Sequence, residues 1–150
     1  MTNQDYMAIA LKEAHKAFLK DEVPIGAVVV DNTTKKVISK AHNTTEHGLD
    51  PTGHAEISAI RKACKKLNAK RLWQCSLYVT LEPCAMCAAA VSFARIESLF
   101  IGATDEKGGA VVNGVRFFEN PTCHFKPSVT TGIFAEQSAQ MLKDFFKNKR

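Results

Sequence analysis

The amino-acid sequence predicts a layered α/β fold. Short β-branched segments alternate along the chain with longer segments whose apolar residues recur at helical spacing. A repeated order of strand and helix is typical of a layered sheet with right-handed crossovers. A chain of 150 residues can bury a sizeable core, and no linker, internal repeat or low-complexity tract divides it. We therefore expect residues 1–150 to form a single domain.

The first predicted elements are one helix and two strands. Apolar residues recur at helical spacing over residues 5–20, and Asp5 can cap the start of this helix. Residues 23–30 form a β-branched run that is too short for a typical helix, which predicts a buried strand. A second strand is expected at about residues 36–41.

The middle of the chain predicts two helices and two further strands. Helical spacing over residues 54–67 predicts a helix that begins near His54. Residues 77–81 alternate in the manner of a strand, and residues 85–94 are alanine-rich and helical. Residues 98–102 are predicted as a fourth strand.

The last third of the chain is less regular. Residues 103–131 contain several glycines and prolines and are too long to be a mere connection. We expect short helical turns there, a fifth strand near Ser128 and a functional surface. A helix from about Ile133 closes the chain.

Composition limits the compartment and the partners. The formal net charge of +5 and the pI of about 9.0 permit nucleic-acid binding without requiring it. The longest apolar stretches are far too short to cross a bilayer, so we expect no membrane association and a cytoplasmic location. In that compartment five cysteines favour free thiols or metal ligands over disulfides.

Cys84 and Cys87 form the clearest candidate metal site. They lie where a predicted strand leads into a helix, and their i, i+3 spacing lets both sulfur atoms face the same way. Pro83 suits a first helical turn because it lacks an N–H group. The partial positive charge of the helix start favours the thiolate, which is the form that binds metal.

His54 is the candidate third ligand. It begins the other predicted helix, and helix starts that follow neighbouring strands lie at the same end of a layered sheet. Three protein ligands with one open position are typical of catalytic zinc, whereas structural zinc has four. The alternative is therefore a structural site completed by one more cysteine, for which the candidates are Cys64, Cys75 and Cys123.

Glu56 lies two residues beyond His54, a spacing that does not place both side chains on one face of a regular helix. Joint metal ligation is therefore not expected. In an irregular first turn, the carboxylate could take a proton from a zinc-activated water and pass it to a substrate. The alternative is an exposed partner of the helix dipole.

The paired motifs His-Ala-Glu (54–56) and Pro-Cys-Ala-Met-Cys (83–87) match the signature of zinc nucleoside and nucleobase deaminases. Within that superfamily the chain resembles the bacterial tRNA adenosine deaminases over nearly its whole length. The resemblance rests on these segments: EVPIGAVVV (22–30), AHN (41–43), DPTGHAE (50–56), LYVTLEPCAMC (77–87), FIGATDEKGG (100–109) and GIFAEQSAQMLKDFFKNKR (132–150).

The resemblance implies a three-layer cytidine-deaminase-like fold with a central mixed five-stranded sheet flanked by helices. It implies one Zn²⁺ per subunit, held by His54, Cys84 and Cys87, and a homodimer. The implied reaction is hydrolysis of the wobble adenosine to inosine in a tRNA anticodon loop by zinc-activated water, with Glu56 as the catalytic acid and base. We expect the tRNA to be an arginine tRNA.

By the same resemblance Asn43 would hydrogen-bond the flipped base, Ile25 would line its pocket, and the Ala55 backbone would contact it. Anticodon-loop bases are already partly unstacked, which makes extrusion of the base cheap. Candidate contacts to the RNA backbone are the basic residues of the last helix, Lys143, Lys147, Lys149 and Arg150. The basic face of residues 61–66 is interpreted as solvent-facing.

Two other functions remain open from the sequence. A deaminase of a free base or nucleotide, such as guanine, cytosine or deoxycytidylate, would use the same zinc site. A non-catalytic zinc module that binds RNA would need four protein ligands and would make Glu56 dispensable.

Overall fold

The computed structural model describes residues 1–149, in which a five-stranded sheet is flanked by α-helices. The helices are α1 (Asn3–Leu19), α2 (Ala55–Leu67), α3 (Ala85–Ala94) and α4 (Ala135–Lys147). The strands are β1 (Gly26–Asp31), β2 (Val37–His42), β3 (Cys75–Leu81), β4 (Ser98–Ala103) and β5 (Ser128–Thr130). A short 3₁₀ helix, Phe117–Glu119, lies between β4 and β5. The predicted α/β class is confirmed.

The sheet is mixed, with the strand order β2-β1-β3-β4-β5. β1 is antiparallel to both β2 and β3, whereas β3, β4 and β5 are parallel. β2 and β3 therefore run in the same direction, and the helices that follow them begin at the same edge of the sheet. The sequence analysis expected the two strands that precede these helices, β2 and β3, to be neighbours in the sheet. This expectation is wrong, because β1 lies between β2 and β3 and pairs with both.

The side chains on the two faces of β1 are buried against different helices. Ala27 and Val29 belong to the larger core, which also contains residues of α2 and α3, while Val28 and Val30 pack against α1. At the start of this strand, a Cβ atom on Gly26 would lie 1.9 Å from the carbonyl oxygen of Ala10. Only glycine allows this close contact between α1 and the sheet.

The start of α1 corrects the predicted cap. Thr2 is the N-cap residue, and its hydroxyl accepts a hydrogen bond from the Asp5 backbone N–H at 3.2 Å. The Asp5 carboxylate in turn accepts from the Thr2 backbone N–H at 2.7 Å. Asp5 therefore completes a capping box at the third helical position, where its charge also complements the helix dipole.

The start of β1 also differs from the prediction, because the strand begins at Gly26 and not at residue 23. Pro24 has no N–H to offer a neighbouring strand, and the Ile25 N–H donates locally to the Val23 carbonyl at 2.9 Å. Residues 23–25 are thus an irregular lead into the sheet. Within residues 1–149, none of the helices has the length and apolar character needed to span a bilayer.

Candidate active site

His54, Cys84 and Cys87 meet at the edge of the sheet where α2 and α3 begin. The Nδ1 atom of His54 lies 3.6 Å from the Sγ atom of Cys84 and 3.5 Å from that of Cys87. The three candidate ligand atoms all lie within 4.8 Å of one another. The structure therefore brings together the three residues that the sequence singled out.

Two of these residues occupy helix N-cap positions without capping the helix. His54 precedes α2 and Cys84 precedes α3, both with extended backbone, and neither side chain makes a capping hydrogen bond. Both side chains are thus free to point into the site. Because two helix N-termini converge here, their partial positive charges stabilise thiolate sulfur.

The two thiols are electrostatically coupled. A hydrogen bond from Cys87 to Cys84, together with backbone N–H groups and the nearby His54, lowers the pKa of Cys84 to about 5 despite its burial. The same hydrogen bond and burial raise the pKa of Cys87. One imidazole nitrogen and two sulfur atoms, at least one of them readily ionised, form a donor set that fits zinc.

The other cysteines do not extend this site. Within residues 1–149, the group of ligand atoms close enough to share one metal ion contains none of Cys64, Cys75 and Cys123. Burial raises the pKa of Cys75 to about 11, which disfavours its thiolate. These positions give no support to a structural site with four protein ligands.

Glu56 lies in the first turn of α2, and only 4% of its surface is exposed. Its carboxyl group lies beside Cys87 and its own backbone N–H, outside the group of three candidate ligands. Burial raises the pKa of Glu56 to about 7, and the negative charge of Cys84 adds to this effect. An exposed helix-dipole partner would have neither this burial nor this pKa shift.

A cavity of about 240 Å³ opens beside His54. Ile25, Asn43 and Ala55, all singled out in the sequence, line it. The Ile25 carbonyl accepts a hydrogen bond from the Asn43 backbone N–H at 3.1 Å, which fixes Asn43 beside Ile25 in the cavity wall. Val23 and Thr45 also line the cavity and were not predicted.

A larger groove of about 620 Å³ adjoins this cavity and shares Val23 and Ile25 with it. Its far walls are residues 103–107 and one side of α4, where Lys143 and the half-exposed Phe146 face it. The first residues after β4, for which the sequence predicted a functional surface, therefore form one wall of this groove. Their function stays a prediction.

The four basic residues singled out near the carboxyl terminus differ in their surroundings. Lys143 lines the groove, and Lys147 is exposed. Lys149 pairs with Asp21 and lies 5.2 Å from the centre of the Phe145 ring. Arg150 lies outside the described residues.

Two buried carboxylates beside these cavities were missed by sequence reasoning. Glu22 and Glu82 are only 1% and 3% exposed, and both accept hydrogen bonds from loops that border the cavities. Their partners lie 23 to 31 residues further along the chain. No local pattern marks such contacts, so only the folded chain reveals them.

Comparison with known proteins places this site in a family. The profile of the MafB19-like deaminase family matches residues 1–150. A tRNA-specific adenosine deaminase from Agrobacterium fabrum is 54% identical over 145 residues, which cover 97% of this chain and 94% of that protein.

Solved structures show the same relationship. One structure, from a study of A-to-I editing by tRNA:A34 deaminases at the wobble position of transfer RNA, aligns with a TM-score of 0.89 at 54% identity and covers 92% of this chain and 99% of that one. A guanine deaminase from Nitrosomonas europaea aligns with a TM-score of 0.82 over 95% of this chain and 83% of that one, but at 22% identity this likeness shows the fold alone. With its full length matched, the chain belongs to the MafB19-like deaminase family and, within it, to the tRNA-specific adenosine deaminases.

Proposed function

We propose that this protein converts the wobble adenosine of a tRNA anticodon loop to inosine by zinc-dependent hydrolysis. The single observation that carries this proposal is the buried carboxyl of Glu56 beside three converging metal-binding side chains, at a cavity lined by Asn43. The full-length likeness to a tRNA-specific adenosine deaminase supports tRNA as the substrate. We also propose that the protein is located in the cytoplasm, where it would meet a tRNA substrate.

His54, Cys84 and Cys87 would hold one zinc ion per subunit. When bound, zinc acts as a Lewis acid that lowers the pKa of water towards neutrality. Three protein ligands, in place of the four of a structural site, would suit a catalytic zinc ion. The positions of Cys64, Cys75 and Cys123 outside the ligand group support this arrangement.

Glu56 would move the protons of the reaction. Hydrolysis adds water at C6 of adenine and releases the exocyclic amino group as ammonia. In our proposal the Glu56 carboxylate takes one proton from the water and delivers it to the ring nitrogen next to C6. It then takes the remaining proton from the hydroxyl group now bonded to C6 and transfers it to the departing amino group, so that the C6–N bond breaks and the C6 carbonyl of inosine forms. Burial of Glu56 keeps these protons from exchanging with solvent during the reaction.

The small cavity would hold the extruded base. Asn43 offers both a hydrogen-bond donor and an acceptor, which suits the edge of a purine, while Ile25 supplies an apolar wall. The Ala55 backbone, at the start of α2, would contact the base from the side of the metal. A single-stranded loop supplies a base that is already partly unstacked.

A homodimer is supported by the outer face of α3. This helix contains no charged residue, and its side chains that are not buried are Ala85, Met86, Ala89, Ala90 and Phe93. Phe93 is 63% exposed, and Trp73, beyond the helix, is 56% exposed. A helix that is apolar all round is typically buried, so we propose that a second copy of the chain covers this face.

The anticodon stem-loop would lie along the groove beside α4. Lys143 lines that groove and Lys147 is exposed on the same helix, so both are placed to meet phosphates. Lys149 would contribute mainly by fixing the end of α4, because Asp21 already neutralises it. We propose Arg150 as an RNA contact on the basis of the sequence, because it lies outside the described residues.

The decisive experiment is a deamination assay. Zinc-loaded protein is incubated with a bacterial arginine tRNA transcript that has adenosine at the wobble position, and inosine is detected by sequencing. Guanine, cytosine, cytidine and deoxycytidylate are offered in parallel reactions. We expect inosine at the wobble position and no turnover of the free compounds, whereas turnover of a free compound alone would overturn the substrate proposal.

A further inference from the structure

Glu82, the last residue before the Pro83–Cys84 turn, is a buried carboxylate that accepts five hydrogen bonds. Its Oε1 atom accepts from the Asp105 backbone N–H at 2.9 Å and from the Asn113 side-chain amide at 2.8 Å. Its Oε2 atom accepts at 3.0 Å from the backbone N–H groups of three consecutive residues, Val111, Val112 and Asn113. One side chain thus fixes both ends of the segment 105–113.

The charge of Glu82 is balanced by N–H groups instead of a cation. Among the ion pairs found within residues 1–149, none involves Glu82. The surrounding space is also full, because a Cβ atom on Gly109 would lie 2.4 Å from Glu82 Cδ and 2.5 Å from the Asp105 carbonyl oxygen.

The segment held by Glu82 connects two parts of the site. At one end, residues 103–107 line the large groove opposite α4. In its middle, the Ala110 N–H donates at 2.9 Å to the carbonyl of Pro83, the residue before Cys84. The hydrogen bonds of Glu82 therefore hold the groove wall of residues 105–107 at a fixed position relative to Cys84 and Cys87.

We propose that Glu82 is a positioning residue for the substrate: it holds the groove wall at the spacing from Cys84 and Cys87 that lets the RNA flanking the reacting base bind productively. This inference rests on the proposed function for its substrate. Glu82 lies outside the metal ligands and has no part in proton transfer. Its loss should therefore weaken RNA binding more than it slows the chemical step.

The first test is Glu82→Gln, which keeps the shape of the side chain but presents an NH₂ group to N–H donors. We expect the KM for an anticodon stem-loop RNA to rise about tenfold or more, while kcat and zinc content stay within about threefold of wild type. Hydrogen exchange should quicken at the amides of Asp105 and residues 111–113. An unchanged KM with unchanged exchange, or a loss of zinc and kcat at constant KM, would overturn the proposal.

The second test uses Asn113 and remains informative if Glu82→Gln fails to fold. Asn113→Ala removes one donor to Glu82, whereas Asn113→Asp places a second carboxylate against it. We expect KM to rise in the order wild type, Asn113→Ala, Asn113→Asp. The double variant Glu82→Gln/Asn113→Asp should have a lower KM than Asn113→Asp, because the amide introduced at position 82 can donate to the carboxylate introduced at position 113. The reverse order would contradict the proposal.

Hydrogen exchange separates this inference from the proposed function, because it requires no RNA. If the wild-type protein leaves tRNA unmodified, the proposed function fails. Faster exchange limited to residues 105–113 in Glu82→Gln would still show that Glu82 holds the groove wall. If the wild-type protein is active and exchange in the variant is unchanged, the inference alone fails.

Discussion

His54, the N-cap residue of α2, and Cys87, in the first turn of α3, are separated by 33 residues, yet the Nδ1 and Sγ atoms of the two side chains are 3.5 Å apart. The contact exists because β2 and β3 run in the same direction and deliver α2 and α3 to one edge of the sheet. At that distance both atoms can bind one metal ion. The sheet topology thus brings the candidate metal ligands together.

Metal binding should depend on Cys87 and not on the cysteines outside the site. Removing one of three ligands should reduce zinc affinity by more than the roughly 10- to 100-fold that loss of an outer-shell partner causes. We therefore expect Cys87→Ala to retain little zinc after dialysis, measured by atomic emission. The control is Cys64→Ala, at a half-buried position of α2 that packs against the core, and it should keep one zinc per chain. Equal zinc loss in both variants would contradict the proposed ligand set.

Glu56 should be required for chemistry but not for binding. Glu56→Gln preserves the volume of the buried side chain but cannot carry a proton, so we expect kcat to fall about 10²- to 10⁴-fold. Zinc content and RNA affinity should remain near wild type. Glu136, an exposed acidic residue in the first turn of α4, offers a matched control.

The Glu136→Gln control shows whether a loss of activity in Glu56→Gln is specific to position 56. That variant should be fully active, because its side chain is exposed and lines neither the cavity nor the groove. A Glu56→Gln protein with near-normal inosine formation would remove Glu56 from the mechanism. A Glu56→Gln protein that loses zinc would instead assign it a structural role.

Sequence alone predicted the elements whose signals are local. The bounds of α3 were predicted as observed, because five of its ten residues are alanine, which has the highest helix propensity. β1 was predicted to begin too early, because Val23 and Ile25 continue the apolar run, and the local hydrogen bond from the Ile25 N–H to the Val23 carbonyl is not visible in the sequence. Glu22 and Glu82 were missed because each depends on backbone N–H groups brought close by the fold.

The apolar face of α3 should govern self-association. Phe93→Asp places a charge within the proposed dimer contact, where its desolvation would be unfavourable, so we expect the protein to become monomeric at micromolar concentration. Light scattering after gel filtration measures this directly. Leu19→Asp, at a 71% exposed leucine that ends α1, should remain dimeric. Wild-type protein that is monomeric would refute the dimer itself.

The basic residues of α4 should contribute to RNA affinity through charge. For Lys143→Gln/Lys147→Gln we expect weaker binding at low salt, and a salt dependence of log K reduced by about 1 for each phosphate that the variant no longer neutralises. Fluorescence anisotropy of a labelled stem-loop at several KCl concentrations measures both. Arg61→Gln/Lys65→Gln removes the same charge from the exposed face of α2 and should have little effect. Equal effects of the two double variants would indicate only a general charge contribution.

Glu22 should stabilise the fold in a pH-dependent manner. Burial alone would raise its pKa, but hydrogen bonds from the backbone N–H groups of Glu46 and His47 and from the His47 ring outweigh burial and hold the pKa of Glu22 below its ordinary value of 4.5. The unfolded chain therefore binds a proton at this carboxylate more readily than the folded protein does. Its stabilising contribution is complete above about pH 5 and is lost as the pH falls through the lowered pKa of the folded state.

We therefore expect Glu22→Gln to lower the free energy of unfolding by about 2 kcal/mol at pH 7, because three hydrogen bonds to a buried charge are weakened. The difference from wild type should shrink as the pH falls below about 5, because the wild-type carboxylate then becomes protonated. Urea unfolding followed by circular dichroism at several pH values measures this difference. Glu46→Gln, an exposed neighbour, is the control and should track wild type throughout. A constant difference between Glu22→Gln and wild type across this range would show that packing, and not the carboxylate charge, holds the 46–47 loop in place.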